Sequence, residues 1–293
     1  MTTHHTPINK TILMKTSILH STLIALAVMI AGCITAAAQG RQVSASPAKK
    51  TVKVERPDLD KIKAETLNPK SRFYFPKLMK RFEKNDTVMT TEEYRYLYLG
   101  YMFQEDYDPY RVSPYDEKTA PLKTRSKHTR QEVDTLIKYA ELSLNDNPFD
   151  LRHMSFLVHA LKEKEKTYRA KFWEFRLENL LAAIKSTGTG EDVENAWYVI
   201  YPAHEYDMVQ LLGYNAVDVD FEQYPGYDIL KVEPEEETAR RLKNKVADKF
   251  FFNMVIPTEQ FELKHPEDVD DDDEEAAAVP AEEEEDPDNA PAQ

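Results

Sequence analysis

The fold is decided by residues 90–110, whose sequence is TTEEYRYLYLGYMFQEDYDPY. Thr90 and Glu93 form the pattern of a capping box, in which a hydroxyl and a carboxylate satisfy two of the unpaired N–H groups at the start of a helix. We therefore predict a helix that begins here. Apolar side chains recur at helical spacing on two sides of it: Tyr94, Leu97, Tyr98, Tyr101 and Met102 on one, Tyr96, Leu99 and Phe103 on the other. A helix that is apolar on two sides is predicted to be buried between neighbours.

Gly100 lies inside this helix, where glycine costs about 1 kcal/mol relative to alanine, so we expect another backbone to pass close to it. Residues 106–110 are predicted to form a turn, because the residue before Pro109 is pushed out of the helical region. The tyrosines of the helix are interpreted as core residues whose hydroxyls reach its edge. Tyr107 and Tyr110, in the turn, are predicted to be at the surface and are the candidate binding residues.

The first 38 residues are typical of an export signal. Met14 opens it, and the apolar run of residues 18–34 is too short for a membrane-spanning helix and is followed by small residues. Two processing sites are compatible with the sequence. Cleavage after residues 36–38, of the A-x-A type, would release a soluble chain. Residues 30–33 resemble a bacterial lipobox instead, and processing there would place a lipid anchor on Cys33.

Cys33 is the single cysteine of the chain. The mature protein therefore has at most one thiol. This excludes a disulfide framework, a zinc site with several cysteine ligands and, if cleavage removes Cys33, a cysteine nucleophile.

Both ends of the mature chain are polar. Residues 39–56 are small, polar and basic, and are predicted to be a flexible leader. Residues 266–293 contain 14 Asp or Glu and no Lys or Arg, which equals the net charge of −14 of the whole chain. We predict a disordered acidic tail that acts as solubiliser and spacer, with calcium collection or a clamp on a basic partner as alternatives. Nucleic acid is not an expected partner, since the nearly neutral body offers no basic stripe.

The body is predicted to be mainly α with a small β-sheet, an α+β fold. Residues 57–187 carry helical patterns interrupted by a long polar loop at 111–130. The unit at 145–184 has the rhythm of a tetratricopeptide-like helical hairpin, but no second copy follows, so we predict hairpin packing and no repeat array. Residues 191–265 are predicted to be a small α+β part packed on the helices. Its strands are expected at 196–201, 227–232 and 249–256, and its helices at 205–212 and 235–246.

Residues 57–110, from PDLDKIK to EDYDPY, resemble the opening of domain-of-unknown-function family 4919, a family of exported Bacteroidota proteins. The resemblance continues through AWYVIYPAHEYDMVQLLGY at 196–214 and YDILKV at 227–232 to FFFNMVIP at 250–257. It implies export and a shared fold. It carries no established activity and no catalytic residues to transfer.

His204, Glu205 and Asp207 are the candidate catalytic residues. They follow a predicted strand, and these side chains are suited to acid–base chemistry or metal binding. Because Met208 stands where H-E-x-x-H requires histidine, the metalloprotease motif is absent, and the acids are equally explained by the helix dipole. We predict no metal and no cofactor. Two other histidines, His153 and His159, are about 240° apart around a helix and cannot face one ligand.

The leading hypothesis is a non-enzymatic binding or interaction module that is exported to the periplasm, the outer membrane or the medium. Its partner would be an envelope protein or a glycan, and it would touch a membrane only through a lipid on Cys33. The alternative is a hydrolase that combines the cluster at 204–207 with the turn carboxylates Asp106 and Asp108. That alternative predicts that both segments lie in one pocket.

Overall fold

The computed structural model describes residues 53–265 except 124 and 126. The predicted signal peptide with Cys33, most of the leader and the acidic tail lie outside the described residues. Seven helices come first: α1 (Leu59–Leu67), α2 (Phe75–Glu83), α3 (Thr91–Gly100), α4 (Asp116–Lys123), α5 (Arg130–Asp146), α6 (Leu151–Glu163) and α7 (Thr167–Lys185). Then follow β1 (Trp197–Tyr198), α8 (Ala203–Leu211), β2 (Tyr214–Tyr224), β3 (Tyr227–Pro234), α9 (Glu236–Leu242), β4 (Lys249–Asn253) and α10 (Val255–Lys264). The predicted α+β class is confirmed.

Helix α3 is the centre of the helical part, as its sequence predicts. The capping box is formed: the Glu93 N–H donates to the Thr90 hydroxyl at 3.1 Å, and the Thr90 N–H donates to the Glu93 carboxylate at 2.8 Å. Every residue from 94 to 100 is buried, and the helix packs against α1, α2 and α7. A single 3-10 turn, Tyr101–Phe103, ends it.

Gly100 is required by a side chain and not, as predicted, by a passing backbone. A Cβ atom at this position would lie 2.5 Å from Cγ2 of Thr66 on α1. Thr66 is itself fixed, because it is buried and its hydroxyl donates to the Ile62 carbonyl at 2.7 Å. The missing side chain of Gly100 therefore lets α1 and α3 approach closely.

Helices α5, α6 and α7 pack on one another in sequence order, with the predicted break at residues 147–148. The likeness to a tetratricopeptide hairpin stays a prediction. The long loop predicted at 111–130 is wrong in part, because α4 occupies residues 116–123. Its sequence, DEKTAPLK, contains Pro121 and has little apolar periodicity, so the pattern gave no helix signal.

The four strands form one sheet in the order β1-β4-β3-β2, with β1 parallel to β4 and the other pairs antiparallel. Two predicted strands are shorter than expected: 196–201 forms only β1, and the end of 249–256 enters α10. Strand β2 was not predicted. It lies at the sheet edge and its register with β3 shifts twice. One hydrophobic core connects helices and sheet, with Leu97, Leu180 and Phe252 fully buried in it.

The last residues of the predicted leader are held by the body. The Glu55 N–H donates to the Ser186 carbonyl at 3.1 Å, and Arg95 Nη2 donates to the Lys53 carbonyl at 3.2 Å. The prediction of a flexible leader is therefore wrong for residues 53–56, because a buried arginine and a helix end provide partners. In the part of the chain that the structure describes, no helix combines the length and apolar character needed to cross a membrane.

Candidate functional site

A cleft of about 250 Å³ lies where the N-terminal ends of α4, α6 and α8 meet the loop after residue 108. Three carboxylates line it, one from each helix: Asp116, Asp150 and Asp207. The N-terminus of a helix carries partial positive charge and unpaired N–H groups, which stabilise acidic side chains there. Asp150 is the N-cap of α6 and accepts from the His153 N–H at 2.8 Å. The helix ends thus explain the positions of Asp116 and Asp150, whereas Asp207 lies beyond the first turn of α8 and is paired with Arg152 instead.

His153 bridges two of these carboxylates. Its Nδ1 is 2.7 Å from Asp150 Oδ2, and its Nε2 is 3.2 Å from Asp116 Oδ1. Burial alone would raise the pKa of Asp150, but the hydrogen bonds and charge of His153 outweigh it and lower that pKa. His153 was not predicted as a site residue, although the Asp at i−3 directly after the break at 147–148 was the signal that could have found it. His159 is exposed on another side of α6, as its spacing predicts.

Arg152 and Asp207 join α6 to α8 across the cleft. Arg152 Nε donates to Asp207 Oδ1 at 2.8 Å. Burial raises the pKa of Asp207 to about 6 and outweighs the opposing effect of Arg152. The guanidinium is half-exposed, and its Nη groups donate to no other described residue. Arg152 therefore presents oriented, unused N–H donors to the cleft.

His204 lies at the back of the cleft and is tied to α3. Its Nδ1 is 2.7 Å from the Tyr98 hydroxyl, which also accepts from the Ile200 N–H at 3.2 Å. Burial lowers the pKa of His204 to about 3, so the ring is neutral and a weak base. Nε2 is buried inside the protein, and a hydrogen bond to the Phe149 backbone opposes this lowering of the pKa.

Glu205 does not line the cleft. It is buried, and its carboxyl is hydrogen bonded to that of Asp228 on β3. Burial and the neighbouring Asp228 raise the pKa of Glu205 well above its usual range. The structure therefore brings His204 and Asp207 of the predicted trio to one cleft and sends Glu205 to the sheet. Whether any of the three is catalytic stays a prediction.

The two tyrosines of the turn, Tyr107 and Tyr110, lie in different environments. Tyr107 is buried, donates its hydroxyl to the Ile200 carbonyl and packs edge-on against Tyr101 with 5.5 Å between ring centroids. Its predicted surface position is wrong, because the turn folds back onto the segment before α8. Tyr110 is 54% exposed and lines the cleft, with its ring edge-on to Phe261 of α10 at 4.8 Å.

The turn carboxylates do not enter the cleft. Asp106 accepts from the Tyr101 hydroxyl at 3.4 Å, and Asp108 accepts from the Tyr110 N–H at 2.9 Å. The two segments of the hydrolase hypothesis do meet, since Tyr110 lines the same cleft as His204 and Asp207. The carboxylates that accompany them come from α4 and α6 instead. Among the described residues, no group of three or more His, Cys, Asp or Glu side chains is arranged to hold a metal ion.

Comparison with known proteins gives a family and no activity. No curated protein and no solved structure matches the chain. The model of the family described as "Domain of unknown function (DUF4919)" matches residues 60–254, which include α3, the cleft and the sheet. That match covers more than half of the sequence, and the chain belongs to the DUF4919 family.

Proposed function

We propose that the protein is an exported, non-enzymatic binding module of the bacterial envelope, and that its cleft binds a neutral polyhydroxy ligand, a sugar unit of a glycan. The observation that carries this proposal is the mixture of charges in the cleft. Two guanidinium groups, of Arg111 and Arg152, face three carboxylates, of Asp116, Asp150 and Asp207. A ligand of strong charge would meet repulsion from one set, whereas hydroxyl groups donate to carboxylates and accept from guanidinium groups.

The polar groups of the cleft are held in place before any ligand arrives. Asp207 orients Arg152, and Asp150 and Asp116 orient His153. Side chains that are already ordered lose little conformational entropy on binding, which favours affinity for small polar ligands. The Arg152 Nη groups add donors that no described residue uses.

Tyr110 supplies the apolar component at the rim. Its ring is half-exposed and is supported from one side by Phe261. Ligand sites combine aromatic surface with a few fixed polar groups, and an exposed aromatic ring offers a face to the C–H side of a sugar ring. Export is supported by the sequence of residues 14–38, and the glycans of an envelope are ligands that an exported protein meets.

The test is isothermal titration calorimetry of residues 39–293 with glucose, galactose, mannose and N-acetylglucosamine. We expect saturable binding of at least one sugar, and a loss of roughly tenfold in affinity in Tyr110→Ala, because one ring contact is removed. The matched control is Tyr168→Ala on α7, an 87% exposed tyrosine that does not line the cleft. Absence of saturable heat with all four sugars, or equal losses in both variants, would overturn the proposal.

A hydrolase is the second candidate, and one observation favours it. Burial raises the pKa of Asp207 to about 6, whereas His153 lowers the pKa of Asp150 in the same cleft, and two carboxyl groups whose pKa values are pushed apart are typical of a glycosidase. Asp207 would be the general acid.

Nitrophenyl glycosides test this alternative directly. A hydrolase would release nitrophenol at a rate that falls as the pH rises above about 6. Asp207 can act as general acid only while it is protonated, and it loses its proton in this range. Asp207→Asn would abolish the release. No turnover by the wild type, under conditions where sugar binding is measured, would leave the binding module as the function.

A further inference from the structure

The groove between α6 and α8 does not end at the cleft. A second cavity of about 240 Å³ continues it, lined by residues 151, 155 and 156 of α6 and residues 210 and 211 of α8. Arg152 and Asp207 line both cavities. Their ion pair therefore lies at the junction of two halves of one groove.

The second half is offset along the helices by about one turn. Apart from the buried Leu151, the α6 side chains that line it lie three and four positions beyond Arg152, and those of α8 lie three and four positions beyond Asp207. An α-helix rises about 5.4 Å per turn, so the two halves are separated by roughly the length of one small ring.

The chemistry of the two halves differs. The cleft is polar, with carboxylates, guanidinium groups and imidazoles. The second half has a floor of Phe156 and Leu211, with Ser155 and Gln210 as its polar members, while the neighbouring Leu151 is fully buried. A surface with apolar carbon and a few amide or hydroxyl groups fits the face of a sugar ring, whose C–H groups are apolar and whose edge carries hydroxyls.

Arg152 connects these two environments. Only its Nε is used, on Asp207, and the Nη groups stand between the halves without a partner among the described residues. A planar guanidinium with several donors can bind two oxygens at once, such as those on either side of a glycosidic linkage.

We infer that the groove takes at least two linked sugar units, the first in the cleft, the second on the floor of Phe156 and Leu211, and the linkage against Arg152. This inference rests on the proposed function. The second cavity would then bind the second sugar unit, and the ligand would be a glycan chain and not a single sugar.

Calorimetry with matched sugar pairs tests it: glucose against maltose and cellobiose, and N-acetylglucosamine against its β-1,4-linked dimer. In the wild type we expect one disaccharide to bind roughly tenfold more tightly than its monosaccharide, because a second ring is buried. Gln210→Trp fills the second half with a ring from an exposed position of α8. It should reduce the affinity for the disaccharide to that for the monosaccharide and leave the monosaccharide unchanged.

The control is Gln131→Trp, at an exposed glutamine of α5 that lines neither cavity. It should change neither affinity. If the monosaccharide binds and no disaccharide binds more tightly, or if Gln210→Trp affects both sugars equally, the two-unit groove is overturned while the proposed sugar site stands. If no sugar of either size binds the wild type, the proposed function itself fails.

Discussion

The interior around α3 and the cleft beside α8 are built from the same kinds of side chain but use them differently. Around α3, the Tyr98 hydroxyl forms one hydrogen bond with His204 Nδ1 and accepts a second from the Ile200 N–H, so its hydrogen-bond partners both lie inside the protein. In the cleft, Arg152 donates to Asp207 through Nε, and its Nη groups donate to no described residue. Side chains whose hydrogen-bonding atoms all have partners within the protein stabilise the fold. Side chains that are held by one hydrogen bond and retain further N–H donors can bind a ligand. Helix α8 belongs to both regions, with His204 on one and Asp207 on the other.

Substitutions in the interior should reduce the stability of the protein far more than substitutions in the cleft. We expect the largest loss from Tyr98→Ala. The side chain is fully buried, and its loss leaves a cavity and removes partners of His204 and Ile200. We expect a loss of about 3–5 kcal/mol in the free energy of unfolding, measured by urea denaturation. Tyr98→Phe keeps the ring and should cost about 1–3 kcal/mol, the cost of unsatisfied buried groups. Equal stability of Tyr98→Ala and wild type would contradict the central position of α3.

Gly100→Ala tests the contact between α1 and α3. Alanine in a helix is otherwise favoured over glycine by about 1 kcal/mol, so a stabilised variant would show that the two helices do not approach closely. We expect a net loss of about 1–3 kcal/mol instead, because the new methyl group would lie 2.5 Å from Thr66 Cγ2. The double variant Thr66→Ser with Gly100→Ala removes that methyl partner and should recover part of the loss in the same denaturation assay.

Glu205→Gln should produce a difference that depends on pH. The folded state raises the pKa of Glu205 well above its ordinary value of 4.5, so the folded protein holds this proton to higher pH than the unfolded chain does. Wild-type stability therefore falls as the pH rises above about 4.5, by up to about 1.4 kcal/mol per pH unit, until the folded protein also releases the proton. Glutamine does not titrate, so the free energy of unfolding of the variant should increase relative to that of the wild type as the pH rises.

Urea denaturation at about pH 4 and about pH 7 measures this gain. The control is Glu237→Gln at an exposed position of α9, where the change in stability should stay within about 0.5 kcal/mol at both values. A difference for Glu205→Gln that is the same at both pH values would contradict the buried carboxyl pair.

The smallest effect on stability is expected at the rim of the cleft. Tyr110→Ala removes a half-exposed ring with one aromatic neighbour, so the free energy of unfolding should change by about 1 kcal/mol or less. The same variant is expected to lose sugar affinity. A large loss of stability would mean that Tyr110 belongs to the interior region and not to the cleft.

Local sequence predicted what local physics controls. The capping box of Thr90 and Glu93, the buried α3 and the end of α8, predicted at residue 212 and found at Leu211, follow from interactions within a few residues. Strand β2 was missed although Val217, Val219 and Phe221 alternate with acids, the period of a strand. Because β2 is exposed, it contains no continuous apolar run like those of residues 196–201 and 249–256.

The cleft could be predicted only in part. Asp207, His204 and Tyr110 were named from the sequence, because they follow a strand or stand in a turn. Their neighbours Asp116 and Asp150 come from helices far along the chain, and no local pattern says that three helix N-termini converge. The same limit explains why Glu205 and Asp207, two positions apart, have different surroundings: the helix turns one toward β3 and the other toward α6.

The edge position of strand β2 affects whether copies of the protein can associate with one another. A long strand at the edge of a sheet exposes unpaired N–H and C=O groups, and such an edge can join identical chains into fibres. Here the edge is irregular, because the register with β3 shifts twice, and it carries Asp218, Asp220 and Glu222 among its exposed apolar side chains. Two copies brought edge to edge would align like charges and mismatched backbones. The acids and the irregular register of β2 therefore oppose polymerisation through the edge of the sheet.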